Sequence, residues 1–455
     1  MIDRLSFARE VEIRMRKLNA MQRRAGKRYM ALGFALLAGV GVTFALSGGR
    51  PSTTEKQATA ATSAQSTGLS IDLAPDDQPS RVDYRRLNER ILKLMQQPDM
   101  VGLAVGTVER GQVRFLRGYG ETLAGTGDRV TPDTVFRWAS LSKGVASALV
   151  TKLAADGRLS LDAPLATMGT TLTLPGDTSR ATVADLLSHR LGLVRNAWDD
   201  RLEAGEDPKL IRAQLGTLPP YCLPGTCYTY QNIAFDAASE IVERVTAQNY
   251  GSVARARLFV PLGMTSASVG RAGLESSASW ARPHHLARTP ATVTDIYYRV
   301  PAAGGVNSSI SDLTRWMRAQ MGDAPGVLSP AMLDIMHRPR VATPPHGPRG
   351  PMDRALANAS YGLAWRSFTY AGHKLVGHRG SVDGYGSLIL FDPAEKSGIV
   401  MLWNTNRAIA ARLQLEFFDM LYGLPPTDWL DLKAPAAPDA DPAGAPVGSA
   451  GARRK

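Results

Sequence analysis

The sequence predicts an α/β (α+β) fold in which one antiparallel sheet is built from both chain ends, flanked by helices, and interrupted by an inserted, mostly helical lobe. Two observations predict it. Short apolar and alternating runs cluster at residues 101–119 and again at 374–403, while the long middle carries apolar residues at helical spacing. Strands at the two ends with helices between them close into one sheet carrying an insertion.

The first element is a helix over Arg81–Gln97, with Leu87, Ile91, Leu92 and Met95 on its apolar side. Val101–Val108 and the alternating Val113–Tyr119 follow as strands. Glu109-Arg110-Gly111 supplies the turn that makes them a hairpin. The middle supplies helices over Leu141–Ala155, Val183–His189, Ile233–Gln248 and Ser311–Met321. Lys374–Val376, Gly386–Phe391 and Gly398–Trp403 read as three short strands, and a last helix runs over Ala408–Tyr422. No repeat or second linker interrupts residues 81–431, which read as one unit.

Its flanks differ in character. The formal charge of +12 resembles a nucleic-acid footprint until it is placed along the chain. Residues 1–28 hold nine Arg or Lys against Asp3, Glu10 and Glu12, and Arg453, Arg454 and Lys455 add three more positive charges. The body between keeps about +3 and has no basic stripe interleaved with aromatics, so no nucleic-acid partner is expected.

Tyr29–Leu46 is an uncharged run of eighteen residues directly after the basic cluster. As a helix it is about 27 Å long, enough to cross a bilayer. The positive flank keeps residues 1–28 in the cytoplasm and sends the rest across. A cleaved signal peptide fits less well, because its n-region is short and its apolar run ends in a small-residue cleavage site. Here the n-region has 28 residues and the run ends Phe44-Ala45-Leu46. Residues 47–80 read as a flexible linker and 432–455 as a disordered Ala- and Pro-rich tail, since neither carries the apolar side chains that offset the entropy of ordering.

Cys222 and Cys227 are the two cysteines, separated by Leu-Pro-Gly-Thr. A Pro-Gly turn brings them within reach of a disulfide on the oxidising side of a membrane; two small buried thiols are the other reading. No zinc site is expected from two cysteines without a nearby His, and the adjacent His284 and His285 cannot share a helical face.

Three segments carry chemistry. Phe136-Arg-Trp-Ala-Ser-Leu-Ser-Lys places Ser140 and Lys143 three apart at the start of an apolar helix, where i and i+3 share a face. A serine hydroxyl is a poor nucleophile until a base takes its proton. Lysine serves once burial and the positive helix end lower its pKa. Tyr228-Thr-Tyr-Gln-Asn gives a Y-x-N at Tyr230 and Asn232, and Val376-Gly-His-Arg-Gly-Ser gives an H-x-G at His378 and Gly380. Gly380 lets a substrate lie against its strand.

In order and context these segments resemble the penicillin-recognising serine hydrolases, namely class C β-lactamases and D,D-peptidases. Ala184-Asp-Leu-Leu-Ser-His-Arg-Leu-Gly-Leu and Ala302-Ala-Gly-Gly-Val-Asn-Ser-Ser-Ile-Ser-Asp-Leu extend the likeness. The resemblance implies a serine β-lactamase/penicillin-binding-protein-like fold and an acyl-serine intermediate formed on Ser140. It implies that Lys143 and Tyr230 move the proton and that Asn232 holds Lys143 and the substrate amide. His378 would donate to a substrate carboxylate or stabilise charge, and the backbone N–H groups of Ser140 and Ser381 would form the oxyanion hole. His189, Trp138 and Trp316 read as supporting or packing residues.

Several positions depart from the family pattern. His378 stands in place of Lys, Arg379 in place of a hydroxyl residue, Gln231 in place of Ser or Ala, and Leu191 in place of Ser. The grip on a β-lactam carboxylate is thereby altered. The expected substrate is a small molecule or peptide: a D-amino-acid peptide, a β-lactam or an ester. A penicillin-binding sensor that is acylated without turnover is the alternative. No cofactor is implied. The body is expected in the periplasm, tethered to a bacterial inner membrane by residues 29–46.

Overall fold

A computed structural model describes residues 69–73, 79–344 and 350–432. The basic tail 1–28, the apolar segment 29–46, most of the expected linker and the tail after 432 lie outside the described residues. Among the described residues no helix is long and apolar enough to cross a membrane.

The main sheet has eight antiparallel strands in the order β2-β1-β11-β10-β9-β8-β7-β6. The strands are β1 (Gly102–Glu109), β2 (Gln112–Gly120), β6 (Val341–Ala342), β7 (Ala357–Tyr361), β8 (Arg366–Tyr370), β9 (His373–Val382), β10 (Tyr385–Asp392) and β11 (Ser397–Trp403). A smaller sheet joins β3 (Val135–Arg137), β5 (Val306–Ser309) and β4 (Ser268–Val269) in that order. The expectation of a sheet built from both chain ends holds, since β1 pairs directly with β11. Strands β6 to β8 extend it beyond the expected five. They are short, β7 is largely unburied, and β8 (Arg-Ser-Phe-Thr-Tyr) is buried but mostly polar, so none shows the apolar run that marks a buried strand.

Side-chain alternation divides the central strands between two apolar layers. Leu103, Val105, Leu388, Leu390, Ile399 and Met401 face α1 (Tyr84–Met95) and the last helix, while Ala104, Ile389, Phe391, Val400 and Leu402 face the helical lobe. Helix α1 begins at Asp83, whose side chain accepts from Arg86 N–H at 2.9 Å. It buries Leu87, Ile91 and Leu94; the expected Leu92 is instead 48% exposed, because the buried face follows i, i+4, i+7.

Helix α2 (Ser142–Ala155) is apolar on nearly all sides and is buried inside the lobe. Gly144 lets it approach the Trp365 indole: a Cβ there would stand 3.0 Å from the ring. Helix α3 (Ala237–Thr246) starts four residues later than expected, leaving 233–236 as a turn. Helices α4 (Ile310–Gln320) and α5 (Leu413–Tyr422) complete the two layers. Residues 69–73, expected within the linker, dock on the body. Leu69 N–H donates to Leu262 O at 3.2 Å, and Leu69 O accepts from Arg315 at 2.8 Å.

Candidate active site

Strand β3 delivers the chain to Trp138, and Ala139 then turns with φ +48°, a left-handed conformation that costs an L-residue about 1–2 kcal/mol. The turn is held from two sides. Trp138 N–H donates to Val306 O at 2.9 Å, and Ser387 Oγ donates to Trp138 O at 2.6 Å. The Trp138 indole donates to Ser308 Oγ at 2.8 Å and packs on Trp316, so both tryptophans are packing residues. Ser140 is thereby half-buried at the mouth of the turn, two residues before α2. Ser142 faces inward and accepts from Val306 N–H at 3.0 Å, tying α2 to β5.

Lys143 is fully buried. Its Nζ lies 2.8 Å from Asn232 Oδ1, 3.1 Å from Ala303 O and 3.3 Å from Ser140 Oγ. Burial pulls its pKa down from the ordinary lysine value to about 7, against the opposing charges of Asp199 and Asp236. The first two partners are carbonyl oxygens, which only accept. A neutral amine gives them its two N–H bonds and turns its lone pair to the Ser140 hydroxyl.

Tyr230 approaches the same oxygen from the other side, its hydroxyl 2.7 Å from Ser140 Oγ. Burial pushes the phenol up to about 12, with the hydrogen bond to Ser140 working the other way. The Tyr230 ring rests on His189, centroids 4.4 Å apart, and His189 Nδ1 accepts from Gln231 N–H at 3.2 Å. Burial holds His189 well below the usual histidine range, so it is a neutral support. Asn232 completes the row, donating from Nδ2 to Asp199 Oδ2 at 2.7 Å.

The H-x-G segment lies on β9 beside this row. A Cβ on Gly380 would stand 2.4 Å from Trp138 O and 2.9 Å from Ser140 N. Ser387 Oγ would be nearer still, at 2.3 Å, so the close neighbours that require glycine are the turn at Trp138–Ser140 and the hydroxyl that holds it, where the sequence suggested a substrate. Strand β8 pairs with β9 only as far as Gly377, so 378–382 have β10 on one side and no strand on the other. Ser381 is exposed at that edge.

His378 differs from its expected role. Its Nδ1 lies 2.7 Å from Arg379 O, an acceptor, so Nδ1 carries the proton. Its Nε2 lies 2.9 Å from the Tyr361 hydroxyl, which donates to it. Burial first, and Arg366 second, hold the ring well below the usual histidine range. A neutral, buried imidazole with both nitrogens engaged has no proton to give a substrate carboxylate. Arg379 pairs with Leu388, which faces α5, and its guanidinium reaches Met352 on that far side of the sheet.

The structure thus brings Ser140, Lys143, Tyr230 and Asn232 together, sets Gly380 and Ser381 beside them, and places His378 behind Tyr230, ring centroids 6.4 Å apart. Sequence reasoning did not find Asp199, Ala303 or Tyr361, nor Arg366, which donates to the Tyr228 hydroxyl at 2.9 Å. Ala303 lies in the family-like 302–313 stretch but acts through its backbone carbonyl, and Asp199, Tyr361 and Arg366 belong to no recognisable motif and arrive by tertiary contact. Cys222 and Cys227 are joined as a disulfide. Their loop is strapped to the His189 segment by Tyr221 N–H to Gly192 O (2.8 Å) and Thr229 N–H to His189 O (2.9 Å). Among the described residues no group of His, Cys, Asp or Glu could hold a metal ion.

A family model described as Beta-lactamase matches residues 87–422. An unguisins hydrolase of Aspergillus campestris is 29% identical over 320 residues, covering 67% of this chain, and the chain spans only 58% of that relative's length. Penicillin-binding protein 4 of Amycolatopsis lactamdurans is 28% identical over 361 residues, covering 75% of this chain and 90% of that protein. Among solved structures, the octameric penicillin-binding protein homologue from Pyrococcus abyssi superposes with a TM-score of 0.68 at 22% identity, covering 76% of this chain and 78% of that one. That structural likeness establishes the fold.

Proposed function

The chain belongs to the β-lactamase family of serine hydrolases, and from that membership we propose that Ser140 is its acylated nucleophile, acting on a D-amino-acid peptide, amide or ester. The observation that carries this reading is the convergence of Lys143 Nζ and the Tyr230 hydroxyl on Ser140 Oγ, at 3.3 and 2.7 Å.

In acylation Ser140 Oγ attacks the substrate carbonyl carbon as its proton passes to the neutral Lys143 amine. The carbonyl oxygen takes the electron pair and is met by the backbone N–H groups of Ser140 and Ser381. The unpaired side of β9 after Gly377 supports that placement. Collapse expels the amine or alcohol, which takes a proton from Lys143 through Tyr230 and leaves an ester on Ser140. Water then attacks the ester, the same groups take its proton and pass it to the departing Ser140 Oγ, and the acid is freed. Asn232 orients Lys143 and receives the substrate amide.

The neutral, engaged His378 argues against a carboxylate grip at that position, and so against efficient β-lactam hydrolysis. We place the body on the periplasmic side of a bacterial inner membrane, anchored through residues 29–46. The test is turnover of nitrocefin, a short-chain p-nitrophenyl ester and a D-Ala-D-Ala peptide by the full chain. Hydrolysis of the peptide or ester with little of nitrocefin is expected. A stable adduct on Ser140 without turnover would make the protein a penicillin-binding sensor instead.

A further inference from the structure

We propose that Asp199 is a positioning residue of this site: its carboxylate fixes the Asn232 side-chain amide so that the amide oxygen faces Lys143. This rests on the reading of Ser140 and Lys143 given above. A carboxylate oxygen accepts and never donates while ionised, so the contact of 2.7 Å assigns Asn232 Nδ2 to Asp199 and leaves Oδ1 for Lys143 at 2.8 Å. An asparagine amide flips by half a turn at little steric cost. Flipped, its N–H groups would face the Lys143 N–H groups and its oxygen would face the carboxylate, so both contacts would turn repulsive. The second carbonyl partner of Lys143, Ala303 O, is backbone and cannot flip. Asp199 therefore fixes the one adjustable acceptor that decides where the lysine lone pair points.

Three further observations support this role. Asp199 is 9% exposed, and its second oxygen, Oδ1, is buried without a hydrogen-bond partner among the described residues. A half-satisfied buried carboxylate is a poor way to stabilise a fold, and calls for another reason to be there. The loop that carries it is clamped to the Y-x-N segment: Asn196 N–H donates to Tyr230 O at 2.8 Å, Ala197 N–H to Gln231 Oε1 at 3.3 Å, and Gln231 Nε2 to Val194 O at 2.6 Å. Gln231, which departs from the family pattern, thus holds the loop that carries Asp199. Trp198, at φ +58°, then makes the turn into the short helix Asp199–Glu203.

The charges around Lys143 make the idea measurable. Asp199 faces it through Asn232. Asp236, in the turn before α3, is the second negative charge acting on it and is paired with Arg212 at 2.9 Å. Tyr230, His189 and His378 complete its surroundings, and Asp200, Glu203 and Tyr297 surround Asp199. Removing the negative charge at 199 favours the neutral lysine.

The experiment measures p-nitrophenyl ester turnover by the full chain, with kcat and KM separated and kcat/KM followed against pH, for Asp199→Ala, Asp199→Asn and Ser140→Ala. Circular dichroism confirms that each is folded. Asp199→Ala is expected to lose about tenfold or more in kcat with little change in KM. Asp199→Asn keeps an oxygen that accepts from Asn232, so it retains most of kcat, but its acidic limb moves to lower pH. A merely structural residue would lower stability without moving that limb. Wild-type kcat in Asp199→Ala, or a wild-type limb in Asp199→Asn, overturns the proposal while an inactive Ser140→Ala leaves the nucleophile reading intact. An active Ser140→Ala overturns both.

Discussion

The Tyr230 hydroxyl stands 2.7 Å from Ser140 Oγ while its ring rests on His189 and its backbone carbonyl is bonded to Asn196. The phenol is held by its surroundings, so removing the oxygen alone leaves the ring in place. Tyr230→Phe should keep the fold and lower kcat by about 10²–10⁴-fold, the range for losing one positioned acid–base group. Steady-state kinetics with the ester check this; a loss under about threefold would remove Tyr230 from the proton path.

The acid–base behaviour of Lys143 has a definite sign. Burial lowers its pKa from the ordinary lysine value to about 7, and in the proposed path the neutral amine is the form that accepts the Ser140 proton. kcat/KM should therefore fall as pH drops through about 7, approaching tenfold per pH unit below it, and level off above. The Tyr230 phenol, pushed up to about 12, stays protonated across that plateau. A profile that is flat from about pH 6 to 9 would exclude the lysine as the base.

The parts of the site that are legible in the sequence are those set by local geometry. Ser140 and Lys143 meet because i and i+3 share a helical face, and the apolar run after them marks a buried helix. Strands β1, β10 and β11 are legible because their central position buries every residue, and the edge strand β2 because its first residues alternate between buried and more exposed positions. What is not legible depends on distant partners. The state of His378 is set by its burial and by Arg366, and its Nε2 is taken by Tyr361, seventeen residues away on β7. The placement of Asp199 depends on a loop whose clamp comes from Gln231. The requirement for glycine at 380 is visible in sequence, but its reason lies in a turn more than two hundred residues earlier.

That contact yields a structural prediction. A methyl group at 380 would press on the Ser387 hydroxyl, which holds Trp138 O, and on Trp138 O and the Ser140 amide, which are backbone. Gly380→Ala should displace the nucleophile turn, reducing fluorophosphonate labelling by at least about tenfold and destabilising the fold by about 1–3 kcal/mol. Gly326→Ala, where a Cβ meets nothing within 4 Å, is the matched control and should label normally. Equal labelling rates in the two variants would contradict the packing argument.

The proposed anchor can be tested by fractionation. The full-length protein should stay in the membrane pellet through high-salt and alkaline washes. A version starting after the apolar segment should be soluble, provided that it keeps Leu69, which is bonded to Leu262 and Arg315. Recovery of a mature soluble form beginning near residue 48 would replace the anchor by a cleaved signal peptide.

The sharpest test separates Ser140 from Ser142, since both lie close to Lys143 in sequence. Ser140 Oγ receives both Lys143 and Tyr230, whereas Ser142 Oγ is buried and occupied by Val306 N–H at 3.0 Å. Ser140→Ala should abolish covalent labelling and cut turnover by at least about a thousandfold. Ser142→Ala should retain labelling and lose some stability, about 1–3 kcal/mol for a buried N–H left without its acceptor. Lys143→Ala should be nearly as inactive as Ser140→Ala. The double variant should cost little more than either change alone, because the two residues act as one unit. Labelling of Ser140→Ala at the wild-type rate, with the adduct mapped to another serine, would refute the assignment and the proton path built on it.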